Sequence, residues 1–88
     1  MMYTLRYSEK AMKQLNKLDK GTQKLILKWI SDNLISCENP RLKGKGLTGN
    51  KSGEWRYRVG DYRIICDIQD KNLLILALSI GHRKSIYK

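Results

Sequence analysis

The sequence has one histidine, one proline and two cysteines among its 88 residues. Cys37 and Cys66 lie far from each other and from His82, so the sequence has neither metal-ligand spacing nor the cysteine density of a disulfide scaffold. We therefore expect no metal and no cofactor, and we expect Cys66 to be a buried thiol. The N-terminus lacks the apolar stretch of a signal peptide, and no apolar run approaches the length of a membrane span. A cytoplasmic location with no membrane partner is the expectation.

Acidic residues are also scarce, since 8 Asp and Glu stand against 18 Lys and Arg and give a formal net charge of +10. The excess is +3 over residues 1–40 (7 basic, 4 acidic) and +7 over residues 41–88 (11 basic, 4 acidic). A basic balance of this size is typical of proteins that bind nucleic acid, an anionic membrane surface or an acidic protein. The alternative is an ordinary, well-charged soluble surface.

The length predicts a single domain spanning residues 1–88 with one modest core. Apolar residues alternate over residues 2–7, which predicts a strand. Helical spacing of apolar residues then predicts two helices, the first capped by Ser8 and the second by Thr22, in a unit that ends at Pro40.

Three further strands follow. The last of them, residues 73–80, is apolar on both faces, as expected of a central strand covered from both sides. The order β-α-α-β-β-β predicts an α+β fold in which a helical hairpin packs on a four-stranded, mainly antiparallel sheet. The segment after this strand, starting at Gly81, is expected to turn off the sheet.

The most informative segment is residues 54–63, which predicts two strands joined by a tight Gly60-Asp61 turn. Counting outward from the turn places Arg58 opposite Arg63. Because side chains alternate faces along a strand, three arginines share one face, and apolar residues share the other. The arginine face holds Arg56, Arg58 and Arg63, and the apolar face holds Trp55, Tyr57, Val59, Tyr62, Ile64 and Cys66. Guanidinium groups held together repel one another, so this face predicts a surface that binds phosphates.

Residues 41–53 form a basic, glycine-rich segment ahead of this hairpin. Its glycines match G-x-G-x-x-G, but the dinucleotide-binding motif needs a strand before it and a helix after it, and neither is predicted here. We interpret the segment as a mobile loop whose Lys43, Lys45 and Lys51 reach a phosphate backbone. A plain connecting loop is the alternative.

The element order, the hairpin of residues 55–63 and the ending Gly-His-Arg-Lys-Ser-Ile-Tyr of residues 81–87 together resemble the RelE/ParE toxins of bacterial toxin–antitoxin systems. The resemblance covers essentially the whole chain and is greatest for the RelE-type toxins. It implies a metal-independent endoribonuclease that cuts messenger RNA on the ribosome by attack of a 2′-hydroxyl. It also implies a small acidic antitoxin that binds the toxin in a hetero-oligomer.

The resemblance further implies roles for individual residues. Arg56 and Arg58 stand where the best-known RelE toxin has two lysines, and Arg63 matches an arginine that stabilises the reacting phosphate. Arg83 matches a general acid, and Tyr87 resembles a tyrosine that stacks on or orients the nucleotide. Arginine rarely gives up its proton, so replacement of the lysines leaves the general base open. His82, with an imidazole of suitable intrinsic pKa, Tyr87 and Glu54 are its candidates.

Two other functions remain open on the sequence. A ParE-type toxin of the same fold binds DNA gyrase and cleaves no nucleic acid, and a basic module binds nucleic acid without catalysis. The individual residues also have non-catalytic interpretations: Arg56 and Arg58 would pair with acidic groups of a partner, Tyr87 would cover the sheet and His82 would be a surface residue. Trp29 and Trp55 are predicted to serve in packing.

Overall fold

The structure is a computed structural model that describes residues 2–46 and 53–82. In chain order its elements are β1 (Thr4–Tyr7), α1 (Glu9–Lys17), α2 (Lys20–Asn33), β2 (Lys45–Gly46), β3 (Trp55–Val59), β4 (Tyr62–Gln69), a 3₁₀ turn (Asp70–Asn72) and β5 (Leu74–His82). The strands form one sheet in the order β1-β5-β4-β3-β2, in which β1 runs parallel to β5 and the other pairs are antiparallel. The predicted α+β class and order are confirmed. The fifth strand, β2, comes from a segment predicted to be a loop.

The two helices begin at side-chain caps. The Ser8 hydroxyl accepts a hydrogen bond from the backbone N–H of Ala11 at 3.0 Å, as predicted for α1. The second cap was predicted wrongly, because Asp19 and not Thr22 caps α2. The Asp19 carboxylate accepts from the backbone N–H and the hydroxyl of Thr22, at 3.0 and 2.6 Å. A carboxylate also complements the positive end of the helix dipole. Helix α2 therefore begins at Lys20, directly after Asp19, and includes Gly21.

The core lies between the helical hairpin and the apolar face of the sheet. Its fully buried side chains include Ile26 and Ile30 of α2, Tyr57 of β3, Ile64 of β4 and Ile75 of β5. Removal of this apolar surface from water is the main force that holds the helices on the sheet. None of the helices in the described ranges is long and apolar enough to cross a membrane.

Strand β5 is covered less evenly than its sequence predicted. Ile75 and Ala77 are fully buried, whereas Leu74 and Leu76, which alternate with them onto the other face, are half-buried. The predicted cover on both sides is therefore complete on the core face of β5 and only partial on the other face.

The β3–β4 hairpin has the predicted register. Val59 pairs with Tyr62, Arg58 with Arg63, and Arg56 with Ile65. Gly60 has a φ of +59°, the conformation that a two-residue hairpin turn of type II′ requires at its first central position.

The end of the sheet differs from the prediction. Strand β5 continues through Gly81 and His82, which pair with Arg63 and Tyr62 of β4. The predicted turn at Gly81 is therefore wrong, because the pairing of β5 with β4 continues through both residues. Residues 83–88 lie outside the described part of the chain.

Candidate functional site: a cleft lined by arginine and lysine

A cleft of about 380 Å³ lies where β2, β3 and β4 adjoin. It brings together five of the residues predicted from the sequence to act at the site, which are Arg56, Arg58, Arg63, Lys43 and Lys45. Trp29 and Gly44 complete the lining formed by residues that the structure describes, and none of these is acidic. Five cations around one concave surface attract a polyanion and repel one another in its absence.

Arg63 is the innermost cation of this cleft. It is 7% exposed, and its Nε and Nη1 atoms are buried without a hydrogen-bond partner among the described residues. Its neighbours across the two strand pairings are Arg58 on β3 and Gly81 on β5, so neither supplies an acceptor side chain. A buried donor left unpaired is costly, and a buried charge costs more. The oxygens of a bound phosphate would supply the missing acceptors in bidentate geometry.

The other two arginines are more accessible. Arg58 is exposed and Arg56 is half-buried, although both share the face of Arg63. The cleft therefore has a buried cation at its base and accessible cations above it. This arrangement suits a phosphate that enters from solvent.

Lys43 and Lys45 reach the cleft from residues 40–46, which we call the strap. The indole Nε1 of Trp55 donates to the carbonyl oxygen of Lys43 at 2.7 Å, and the Tyr57 hydroxyl donates to the carbonyl of Pro40. Lys45 pairs with Arg56 in the short β2–β3 ladder. Residues 41–44 therefore form a loop, as predicted, but its backbone is anchored by a side chain of β3, and residues 45–46 form β2 instead of loop. Lys51 lies outside the described residues.

Gly44 is a point at which the strap packs closely against β3. Its φ is +81°, in the region that favours glycine. A Cβ atom at this position would overlap the carbonyl oxygen of Arg56 and lie 2.7 Å from Nε1 of Trp55. The absence of a side chain thus lets the strap lie against β3 and line the cleft.

The structure does not place His82 in the cleft. His82 pairs with Tyr62, and their rings meet edge to face with centroids 5.5 Å apart. Directly opposed residues of an antiparallel pair share a face, so His82 stands on the face of Tyr62 and Val59, opposite to that of Arg63. Arg83 and Tyr87, the other predicted site residues of this segment, lie outside the described residues.

Glu54 lies apart from the cleft as well. It lines a separate cavity of about 240 Å³ together with Arg41 and Trp55, and its Oε1 atom is buried without a partner among the described residues. Two other ionisable groups belong to the core and are held protonated by burial, which raises the pKa of Cys66 to about 12 and the pKa of the Tyr57 hydroxyl well above its ordinary value. Cys66 is the buried thiol that its place on the apolar face predicts.

Sequence reasoning missed Trp29 as a residue of the cleft. Its position on the apolar stripe of α2 correctly predicts packing, and its ring lies 5.5 Å from that of Tyr57. Its presence at the cleft depends on how α2 lies across β3, which no local pattern indicates. Within residues 2–46 and 53–82, no three His, Cys, Asp or Glu side chains gather in a way that could hold a metal ion.

Comparisons with known proteins relate this architecture to one family. Residues 5–87 match the family described as the ParE toxin of the type II toxin–antitoxin system, parDE. The chain is 28% identical to toxin RelG of Mycobacterium tuberculosis over 88 residues, which cover 100% of this chain and 99% of that protein.

Two solved structures have the same fold. The toxin–antitoxin complex RelBE2 of M. tuberculosis contains a chain that superposes with a TM-score of 0.84 at 26% identity, covering 94% of this chain and 93% of that one. The isolated Escherichia coli RelE toxin superposes with a TM-score of 0.73 at 24% identity, covering 97% and 90%. The chain therefore belongs to the ParE-toxin family, within the RelE/ParE superfamily of toxins of type II toxin–antitoxin systems.

Proposed function

We propose that this toxin is a ribosome-dependent endoribonuclease that cuts messenger RNA without a metal ion. The 2′-hydroxyl attacks the adjacent phosphorus, the bond to the 5′-oxygen breaks, and the products carry a 2′,3′-cyclic phosphate and a 5′-hydroxyl. The observation that carries the proposal is the buried guanidinium of Arg63, whose Nε and Nη1 atoms have no acceptor among the described residues and which lines a cationic cleft. A gyrase-binding surface or a plain RNA-binding surface has no chemical need for a buried, unpaired cation.

The arginines suit the stabilisation of charge on the phosphorane. Arg63 would bind the equatorial oxygens, with Arg56 and Arg58 beside it, because planar guanidinium groups match phosphate oxygens. A donor aimed at developing charge contributes about 3 kcal/mol, or roughly a hundredfold in rate. Lys43, Lys45 and Lys51 would bind flanking phosphates of the RNA; Lys51 is assigned from the sequence alone.

Cleavage also requires two proton transfers, one from the 2′-hydroxyl and one to the 5′-oxygen. By the family resemblance, Arg83 donates a proton to the 5′-oxygen and Tyr87 orients the nucleotide. His82 is retained as a candidate base, and its place on the face opposite to Arg63 makes a direct role testable with His82→Ala. The lining residues that the structure describes include no carboxylate and no imidazole. A toxin with few proton-transfer groups gains most when the ribosome positions the reacting RNA, which supports ribosome dependence.

We also propose that a small acidic antitoxin binds this toxin and covers its arginine face in a hetero-oligomer. The M. tuberculosis structure with the same fold is a toxin–antitoxin complex. A formal net charge of +10 and a cationic cleft make an acidic segment the complementary partner.

The second candidate is inhibition of DNA gyrase, since the matching family model is that of the ParE toxins. The two candidates predict different damage in the cell. A ribosome-dependent nuclease leaves cut messenger RNA and normal plasmid supercoiling, whereas a gyrase inhibitor leaves intact messenger RNA and relaxed plasmid DNA.

The test is controlled expression of the toxin in bacteria, followed by mapping of the ends of one messenger RNA and by plasmid topology. A copy of that messenger with its start codon removed shows whether translation is required. We expect cuts in the translated copy alone. Arg63→Leu should abolish them, and Lys28→Ala, which removes an exposed cation outside the cleft, should not. Cuts in both copies would exclude ribosome dependence, and relaxed plasmid with intact messenger would establish the gyrase function.

A further inference from the structure

Asp70, in the 3₁₀ turn before β5, joins three distant parts of the chain. Its Oδ1 atom accepts hydrogen bonds from the Tyr3 hydroxyl at 2.6 Å and from Arg41 Nη1 at 2.9 Å. Its Oδ2 atom accepts from Arg41 Nη2 at 3.1 Å, so the guanidinium is held by both oxygens. Tyr3 lies at the start of β1 and Arg41 lies in the strap. One carboxylate therefore ties the strap to the far side of the sheet.

The contact continues from Arg41 to the wall of the cleft. The Arg41 guanidinium carbon lies 6.0 Å from the ring centroid of Trp55, a distance at which a cation is attracted to the indole. The same indole donates its N–H to the carbonyl oxygen of Lys43. Asp70, Arg41 and Trp55 thus form a continuous set of contacts, which we call the clamp, ending at the backbone of a residue that lines the cleft.

We propose that Asp70 is a positioning residue for RNA binding. Through Arg41 and Trp55 it fixes the strap, so that Lys43 and Lys45 stand as phosphate-binding groups beside Arg56. The inference rests on the proposed function, and it adds a residue that does not line the cleft itself. A backbone fixed before binding lowers the entropy that RNA binding must otherwise overcome.

A purely structural role for Asp70 is a weaker explanation. The side chains of Arg41 and Asp70 are 42% and 56% exposed, and exposed ion pairs contribute little to global stability. Replacement of Asp70 should therefore increase local opening of the strap far more than it lowers the free energy of unfolding of the whole domain. The two roles therefore differ in what a substitution at Asp70 changes.

The change in net charge and the loss of the clamp have opposite expected effects on RNA binding. Asp70→Asn removes a negative charge from a basic protein, which by itself strengthens attraction to RNA. Loss of the clamp weakens RNA binding instead. Asp32→Asn is the matched control, because Asp32 forms an exposed ion pair with Lys28 on α2 and no hydrogen bond or ion pair with the strap.

The experiment measures single-turnover cleavage of messenger RNA on programmed ribosomes as a function of toxin concentration. We expect Asp70→Asn to raise the half-saturating concentration about five- to tenfold, as for the loss of one or two phosphate contacts. The maximal rate should stay within about twofold, since no group that touches the reacting phosphate changes. Asp32→Asn should match the wild type or bind slightly more tightly.

A double-mutant cycle identifies the route of the effect. If the clamp acts through the two lysines, Lys43→Ala with Lys45→Ala should weaken binding less in the Asp70→Asn background than in the wild type. Amide hydrogen exchange should be faster at Lys45 and Gly46 in Asp70→Asn and unchanged in β4. Additive effects, unchanged exchange in the strap, or a half-saturating concentration equal to that of Asp32→Asn would each overturn the inference. A wild-type toxin that cuts nothing on ribosomes would instead refute the proposed function, and the inference with it.

Discussion

Arg58 and Arg63 lie directly opposite each other across the β3–β4 pair, and Arg63 is the buried member. Like charges in directly opposed positions destabilise a sheet, and a buried charge without a partner destabilises it further. Folding alone therefore does not favour this pair. The conflict is resolved if the site exists for an anion that the isolated chain lacks.

Arg63→Leu should make the toxin more stable while it abolishes cleavage. An apolar side chain at a buried position removes a charge that has no partner among the described residues, and replacement of this kind gains about 1 to 3 kcal/mol. Chemical denaturation measures the gain. Arg58→Leu is the control, since Arg58 is exposed and its replacement should change the free energy of unfolding by less than about 1 kcal/mol. A marked loss of stability in Arg63→Leu would mean that the guanidinium is well satisfied in the native protein.

Inorganic phosphate should stabilise the wild type more than Arg63→Leu. A ligand that binds only the folded state raises the free energy of unfolding as its concentration exceeds its Kd. Salt also stabilises proteins in general, and the Arg63→Leu variant reports that general effect. The measurement is the melting temperature of both proteins over a phosphate titration at constant ionic strength. Parallel curves would show that Arg63 binds no phosphate.

Gly44→Ala should cost more stability and activity than Gly60→Ala. Both glycines have positive φ, so both substitutions carry a backbone penalty of about 1 to 2 kcal/mol. Only at Gly44 would the new Cβ meet other atoms, the nearest being the carbonyl oxygen of Arg56; at Gly60 nothing lies within 4 Å. The strap should move off β3 and take Lys43 with it. Equal free energies of unfolding for the two variants would contradict this account of the strap.

Asp70 should make a small contribution to stability, as an exposed ion pair does, and this contribution should be lost in acid. Its hydrogen bonds from Arg41, and then from Tyr3, lower its pKa below the ordinary value of 3.8. The folded state therefore binds this proton less readily than the unfolded state. The contribution is complete above about pH 5 and disappears as the pH falls below 3.8 through the lower pKa of the folded protein. The difference in free energy of unfolding between wild type and Asp70→Asn, measured from about pH 6 to about pH 2, should shrink towards acid. A difference independent of pH would exclude ionisation of Asp70 as its cause.

The sequence predicted those parts of the fold that depend on local rules. A Gly-Asp turn between alternating strands fixes the register, and that register alone brings Arg58 opposite Arg63. Between the two residues able to cap α2, which lie three positions apart, the local rules were less decisive. Asp19 and Thr22 are both good caps, and the carboxylate prevails because it bonds both the backbone and the hydroxyl of Thr22.

Features that depend on distant contacts were not predictable. The strap has the composition of a loop, and it is held by Trp55, Tyr57 and Asp70, each of which lies at least 12 residues after the strap residue that it bonds. The burial of Arg63 depends on what surrounds it in space, which alternation along β4 does not reveal. The position of His82 differs from the predicted one because β5 pairs with β4 over more residues than its apolar run suggests.

Single-turnover cleavage by purified toxin on programmed ribosomes tests the central claim, that the cationic cleft around Arg63 cuts RNA. The wild type should cut messenger RNA only with ribosomes present and leave a 5′-hydroxyl end. At saturating toxin, Arg63→Leu should be slower by about a hundredfold or more, while Lys28→Ala keeps the wild-type rate. Cleavage by Arg63→Leu at the wild-type rate, or intact messenger RNA with the wild-type toxin bound to the ribosome, would contradict the claim.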